Sequence, residues 1–200
     1  QKSGSDLLTG FEQVSVSEDR RTTTWKPLYG ERSEIPDSYH EMRLTLRQKT
    51  SGQTLTLVGR AYNEGAAIRY EFESTTESTS RTLTAERTEF IFPTGTFGYE
   101  EYGPEGEYNR TLISNIKAKC ERPLTVELPD GRYACLVEAD LDRYPRMLLA
   151  PSPFTQGGLI SALSGEVEYT GRLSSPWRAF ILGNRPGDLL EKNYLVLNLN

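Results

Sequence analysis

Between His40 and Phe72 the side chains alternate in polarity with a period of two, and this run restricts the chain to antiparallel sheet. Met42, Leu44 and Leu46 stand against Arg43, Thr45 and Arg47. After the turn residues Thr50-Ser51-Gly52, a second run puts Leu55, Leu57, Gly59 and Ala61 on one face. After Asn63-Glu64-Gly65, a third sets Ile68, Tyr70 and Phe72 against Ala67, Arg69 and Glu71. An amphipathic helix would need apolar residues every three to four positions, whereas strict alternation matches a strand whose successive side chains point to opposite faces. Short polar turns between such runs make neighbours antiparallel. The segment predicts a meander.

The rest of the chain continues the pattern with interruptions. Val14 and Val16 alternate with Ser15 and Ser17, a short strand signal that dissolves in the charged, threonine-rich run from Glu18 to Thr24, which reads as a loop. Glu73 to Ser80 is polar and aperiodic, a surface loop. Thr82 to Phe92 reads as a strand, and Pro93 to Arg110, rich in glycine, proline and tyrosine, as a long loop. Strands then resume at Leu112, Leu124–Leu128, Tyr133–Ala139, Met147–Leu149, Leu159–Leu163, Glu166–Tyr169 and Trp177–Leu182. Pro186 to Lys192 predicts one or two helical turns, with proline at the helix entry. Tyr194 to Asn200 alternates to the last residue and reads as a strand, which makes the chain look like a piece of a longer one. The expected fold is all-β: a large antiparallel β-sandwich of the super-sandwich type with two large sheets and at most one or two short helices, forming one domain over residues 1–200.

Composition excludes several functions. With a formal charge of -5 and acidic and basic residues interleaved, no basic stripe exists for a phosphate backbone, so nucleic acid is not an expected partner. No run approaches the ~18 apolar residues of a membrane-spanning helix. The single histidine, His40, and the two cysteines, Cys120 and Cys135, are too few for an ordinary structural zinc site. No Gly-x-Ser-x-Gly elbow, P-loop or dinucleotide fingerprint occurs. The cysteines flank a hairpin turning at Pro129-Asp130-Gly131, whose register sets Cys135 opposite about residue 126, so a bridge to Cys120 needs an irregular approach. No complete active site is legible.

One stretch draws attention, Leu136 to Leu149. On an ideal strand Glu138, Asp140 and Asp142 share a face, but at about 3.3 Å per residue the outer two lie roughly 13 Å apart, too far for one ion with bonds of about 2.3–2.6 Å. Glu138, directly after the apolar run, is therefore a candidate for a single ligand completed from elsewhere, against the simpler reading of a solvated acidic face.

Several stretches taken together resemble the N-terminal domain of glycoside hydrolase family 97. They are Trp25-Lys-Pro-Leu-Tyr-Gly-Glu31, Tyr39-His-Glu41, Arg60-Ala-Tyr-Asn-Glu-Gly-Ala-Ala-Ile-Arg-Tyr-Glu-Phe72, Glu86-Arg-Thr-Glu-Phe90, Glu138-Ala-x-Leu-x-x-Tyr-x-x-Met147, Ser175-Pro-Trp-Arg178 and the closing Asn198-Leu-Asn200. The resemblance implies a non-catalytic β-sandwich that packs on a catalytic (β/α)8 barrel of the same protein, in a bacterial α-glucosidase or α-galactosidase acting on α-linked oligosaccharides in the periplasm or outside the cell. It implies that the chain lacks the family's first strands, the barrel and a small C-terminal domain, and that on its own it is inactive. It also implies a calcium cofactor in the full-length enzyme, with Glu138 as the one ligand lent by the sandwich. Trp25, Tyr29, Glu31, Trp177 and Arg178 are then candidates for the barrel interface or the substrate side, against ordinary core packing of the aromatics. The competing expectation is a free-standing carbohydrate-binding or adhesion sandwich using the tyrosines of the 93–108 loop.

Overall fold

A computed structural model of the protein describes residues 6–73, 80–103 and 105–200. The predicted meander is its spine. β1 (Phe11–Trp25), β2 (Ile35–Gln48), β3 (Thr54–Tyr62) and β4 (Gly65–Glu73) pair antiparallel in chain order, with Met42 opposite Gly59 and Gly59 opposite Ile68. β15 (Trp177–Gly183) joins the far side of β4, and β10 (Tyr133–Ala139), β9 (Leu124–Glu127), β7 (Phe97–Glu100) and β8 (Asn109–Leu112) extend the sheet from there. With β14 (Arg172–Ser174) also on β4, this sheet has ten strands.

Two smaller sheets cover one face of it. β6 (Glu89–Phe90), β11 (Met147–Pro151) and β12 (Leu159–Leu163) form a three-stranded sheet whose Phe90, Met147, Leu149 and Leu159 pack on Leu124, Val126, Ala134 and Leu136 of the large one. β5 (Arg81–Leu83) pairs with β13 (Val167–Tyr169), and Leu83 and Val167 pack against Leu55, Phe72 and Leu173. The opposite face of the large sheet is capped by α1 (Pro186–Glu191) and α2 (Tyr194–Leu199), the latter setting Leu195 and Leu199 on Val58, Ala67, Ala139, Trp177 and Ala179. The all-β sandwich holds, with one large sheet and two small ones in place of two large sheets.

Four local expectations are corrected. Residues 194–199 are helical: Leu195 and Leu199, four apart, lie on one helix face and seal the sheet, while Leu197 stays 46% exposed. Residues 18–24 continue β1, paired register for register with β2, though almost every side chain is exposed. The 93–110 segment contains β7 and the start of β8; Gly98 permits this because a Cβ there would stand 2.8 Å from Ile113 Cδ1. Residues 84–88 carry no strand between β5 and β6. The predicted 73–80 loop falls mostly outside the described residues. The turn at Pro129-Asp130-Gly131 forms as expected, with Gly131 at φ +83°, and the register sets Cys135 opposite Thr125, one residue from the expected partner. Both cysteines are free thiols.

Candidate functional site

The register of β10 and β15 puts Glu138 directly opposite Arg178, and both side chains point between the sheets. The Arg178 side chain is wholly buried and that of Glu138 is 3% exposed. Two charges removed from water this completely persist only if paired and hydrogen-bonded, and each has several partners. Arg178 forks onto Glu86, with Nε donating to Oε1 at 2.9 Å and Nη2 to Oε2 at 2.6 Å, while Nη1 donates to Glu138 Oε1. Such a bidentate pair is the strongest geometry open to a guanidinium and a carboxylate. Glu86 also accepts from the hydroxyls of Thr88 at 2.7 Å and Tyr144 at 3.1 Å. With its proton committed to Glu86, Thr88 accepts in turn from Tyr70, 3.0 Å away. Burial raises the pKa values of Tyr144 and Tyr70, so both stay neutral donors. Burial also opposes the charge on Arg178, but Glu86 and then Glu138 outweigh it and hold its pKa above the ordinary value.

The chain of charges continues toward the surface. Arg122 Nε and Nη2 donate to Glu138 Oε2 at 2.9 and 2.8 Å; Arg122 Nη1 reaches Glu121 at 3.4 Å; and Glu121 pairs with Arg146, which is 42% exposed. Glu86, Glu138 and Glu121 thus alternate with Arg178, Arg122 and Arg146, and the charges cancel. The Met147 backbone N–H completes Glu138 at 3.1 Å to Oε1 and 3.3 Å to Oε2. The array joins β15, β10, the start of β11 and the segments holding Glu86 and Arg122, so it ties the large sheet to the small one.

The residues present do not fit a calcium ion at Glu138. A calcium ligand must offer the ion an oxygen with a free lone pair. Both oxygens of Glu138 are occupied by cations and an amide. Asp140 and Asp142 do not share its face: β10 ends at Ala139, Asp140 takes φ +57°, and its carboxylate turns to Arg69 at 3.3 Å.

The other site candidates separate into two groups. Trp177 is 1% exposed on the helix-covered face, where Arg60 and Arg69 lie 4.8 and 4.6 Å from its ring centre; it and Arg178 are interior residues. Trp25, Tyr29 and Glu31 are exposed. The loop 26–34 that carries Tyr29 and Glu31 is held against the helices, since Trp25 Nε1 donates to Asn198 at 2.8 Å and Arg32 lies 4.7 Å from the Tyr194 ring centre and donates to the Glu191 carbonyl. Leu28 at 100% exposed, Tyr29 at 89% and, on the adjoining helices, Leu190 at 74% make this corner apolar and solvated.

Of the tyrosines in the 93–108 loop, Tyr102 donates to Glu100 at 2.5 Å and Tyr99 to Glu127 at 3.5 Å, while Tyr108 is 61% exposed. A groove of about 670 Å³ lies instead on the large sheet, over Met42, Gly59, Ala61, Ala66 and Ile68, without a tyrosine in its lining. Sequence reasoning missed Arg122 and Glu121 altogether, and Glu86 surfaced only as part of a familiar motif. No local pattern marks them, because the sheet-to-sheet contact that gives them meaning spans up to 92 residues of chain.

Comparison with known proteins agrees with this architecture. A family model described as Glycosyl-hydrolase 97 N-terminal matches residues 2–200. The retaining alpha-galactosidase of Bacteroides thetaiotaomicron is 31% identical over 229 residues, an alignment covering 95% of this chain and 33% of the relative. A glycoside hydrolase family 97 enzyme from Pseudoalteromonas sp. strain K8, solved with panose and with acarbose, superposes with a TM-score of 0.87 at 26% identity, over 96% of this chain and 30% of that one. An alpha-galactosidase from Lactobacillus brevis shares the fold alone, at a TM-score of 0.64 and 8% identity. The chain spans about a third of the length of these relatives. By its match over nearly every residue, the chain belongs to the Glycosyl-hydrolase 97 N-terminal family.

Proposed function

We propose that this sandwich is the non-catalytic N-terminal domain of a bacterial α-glycosidase, of the α-galactosidase or α-glucosidase kind, and that it docks on the catalytic domain through the corner formed by loop 26–34 and the two helices. The observation carrying this reading is the solvated apolar corner. Leu28 and Tyr29 lie almost fully in water on a loop that is nevertheless held in place by Trp25 and Arg32. A preorganised apolar patch of this kind suits a partner surface, because little order is lost when it is covered. The family relationship supplies the partner: the relatives continue for two further thirds of their length, and one is a retaining alpha-galactosidase. The two carboxylates set between the sheets, Glu86 and Glu138, are each neutralised by arginine, which suits an architectural role better than acid or base chemistry.

The test is a chimera in which this chain replaces the N-terminal third of the Bacteroides relative. The chimera should hydrolyse an aryl α-galactoside, the 200-residue chain alone should not, and Leu28→Ser with Tyr29→Ser should impair the chimera. Turnover by the isolated chain would refute the reading.

A further inference from the structure

We infer that in this protein the Glu138 carboxylate is the permanent anion of a two-guanidinium clamp, and that arginine occupies the position where family membership leads one to expect a divalent cation. The argument rests on donor geometry. An ionised carboxylate has about four lone-pair positions. On Glu138 these receive Arg178 Nη1 and the Met147 N–H at Oε1, and Arg122 Nε and Nη2 at Oε2. A metal ion would have to displace one of them.

Arg178 is the harder to displace. Its side chain has no exposure, and its other two donors are fixed on Glu86 by the bidentate fork. Turning it away from Glu138 would break that fork or leave Nη1 without an acceptor in the interior, and either is costly. Arg122 is looser at 15% exposed, yet it is braced by Glu121, itself held by Arg146. If Arg122 did swing out, the incoming ion would meet one carboxylate oxygen and, beside it, the full charge of Arg178. A hard dication seeks several anionic oxygens, and repulsion from a buried guanidinium grows in a low-dielectric interior. The other buried carboxylate nearby, Glu86, cannot join, because Arg178 stands between the two.

In this chain the Glu-Ala-x-Leu segment is an architectural tie between sheets, whose countercharge is built into the sequence rather than taken from solution. Folding of the domain is then independent of calcium.

The Met147 backbone amide, which donates to Glu138, is a local reporter. In the 200-residue chain labelled with nitrogen-15, titration with calcium chloride against an EGTA reference should leave its resonance unmoved, and the urea midpoint should be the same in both. Calcium binding at Glu138 would instead produce a saturable shift at Met147. At about one hundred times its Kd, calcium would also raise the folded-to-unfolded ratio roughly a hundredfold. That pair of results would overturn the inference. A stabilisation with no shift at Met147 would place the ion elsewhere, sparing the clamp but overturning the calcium independence of folding. In the chimera, Glu138→Gln should leave the calorimetric Kd for calcium within about twofold, while a loss of tenfold or more, the size expected when a group supporting a metal is removed, would contradict it.

Discussion

Replacing Arg178 by methionine removes the centre of the charge array at nearly constant volume. Three hydrogen bonds go, two to Glu86 and one to Glu138. Taking away one partner of a buried ion pair costs about 3–5 kcal/mol, because the remaining charge is uncompensated. The two carboxylates are not stranded equally. Glu138 keeps Arg122 and the Met147 amide, whereas Glu86 keeps only the neutral hydroxyls of Thr88 and Tyr144. The loss should therefore fall near the lower bound, about 3 kcal/mol, and most of it should belong to Glu86. For a domain of this size that corresponds to a fall in Tm of about 6–12 °C. Arg178→Lys keeps the charge without the fork and should cost about half as much. Adding Glu86→Gln to Arg178→Met should recover about 1–3 kcal/mol as coupling. Urea unfolding followed by circular dichroism, with an unchanged m-value, reads the parent, the two Arg178 variants, Glu86→Gln alone and the double variant. A cost for Arg178→Met below about 0.5 kcal/mol, the range of ordinary surface changes, would refute the reasoning.

Other outcomes follow from single contacts. Asp37 is buried with Oδ1 unpaired, and burial raises its pKa against the opposing pull of Arg21 and Arg60. Its folded form thus holds the proton more tightly than the unfolded chain, and the stabilising contribution present below about pH 4 is lost as pH rises through the raised value. Asp37→Asn should accordingly stabilise at pH 7 by about 1 kcal/mol, and the gain should vanish in acid melts. Gly65→Ala would put a Cβ 1.8 Å from the Phe180 carbonyl oxygen, and a cost of about 3 kcal/mol is expected in chemical denaturation. Gly59→Ala meets open space and should be neutral or slightly stabilising. The thiols of Cys120, pushed up to about 11 by burial, and Cys135, raised by burial as well, should resist iodoacetamide until the chain is unfolded, when mass spectrometry should count two adducts.

The parts of this fold that were legible in the sequence are strands whose side chains alternate in polarity. β2, β3 and β4 alternate so, although burial follows the pattern only in part: Met42 is exposed, and β3 and β4 bury residues on both faces, Leu55 and Val58, Ala67 and Phe72. β1 breaks that rule: as the outermost strand with nearly every residue exposed, it has no reason to alternate beyond Val16, so its charged half read as loop. The last six residues failed in the opposite sense, since Leu195, Leu197 and Leu199 imitate a strand although two of them seal a helix onto the sheet. Glu138 could be singled out as an acid beginning a polar run. Its function as an anion shared by Arg178 and Arg122 depends on the β10–β15 register and on the packing of two sheets, neither of which a local pattern contains. Arg178 and Trp177 looked like interface residues for the same reason: a Trp-Arg pair is equally at home in a core, and only burial decides.

The docking claim is tested most directly by amide hydrogen exchange, comparing the isolated chain with the chimera that joins it to the catalytic portion of the Bacteroides relative. Protection should rise in loop 26–34 and in residues 186–199 of the chimera, around Leu28, Tyr29 and Leu190, and should stay unchanged across the 670 Å³ groove over Gly59 and Ala61. Equal exchange of loop 26–34 in both proteins, or new protection confined to the groove, would contradict the account.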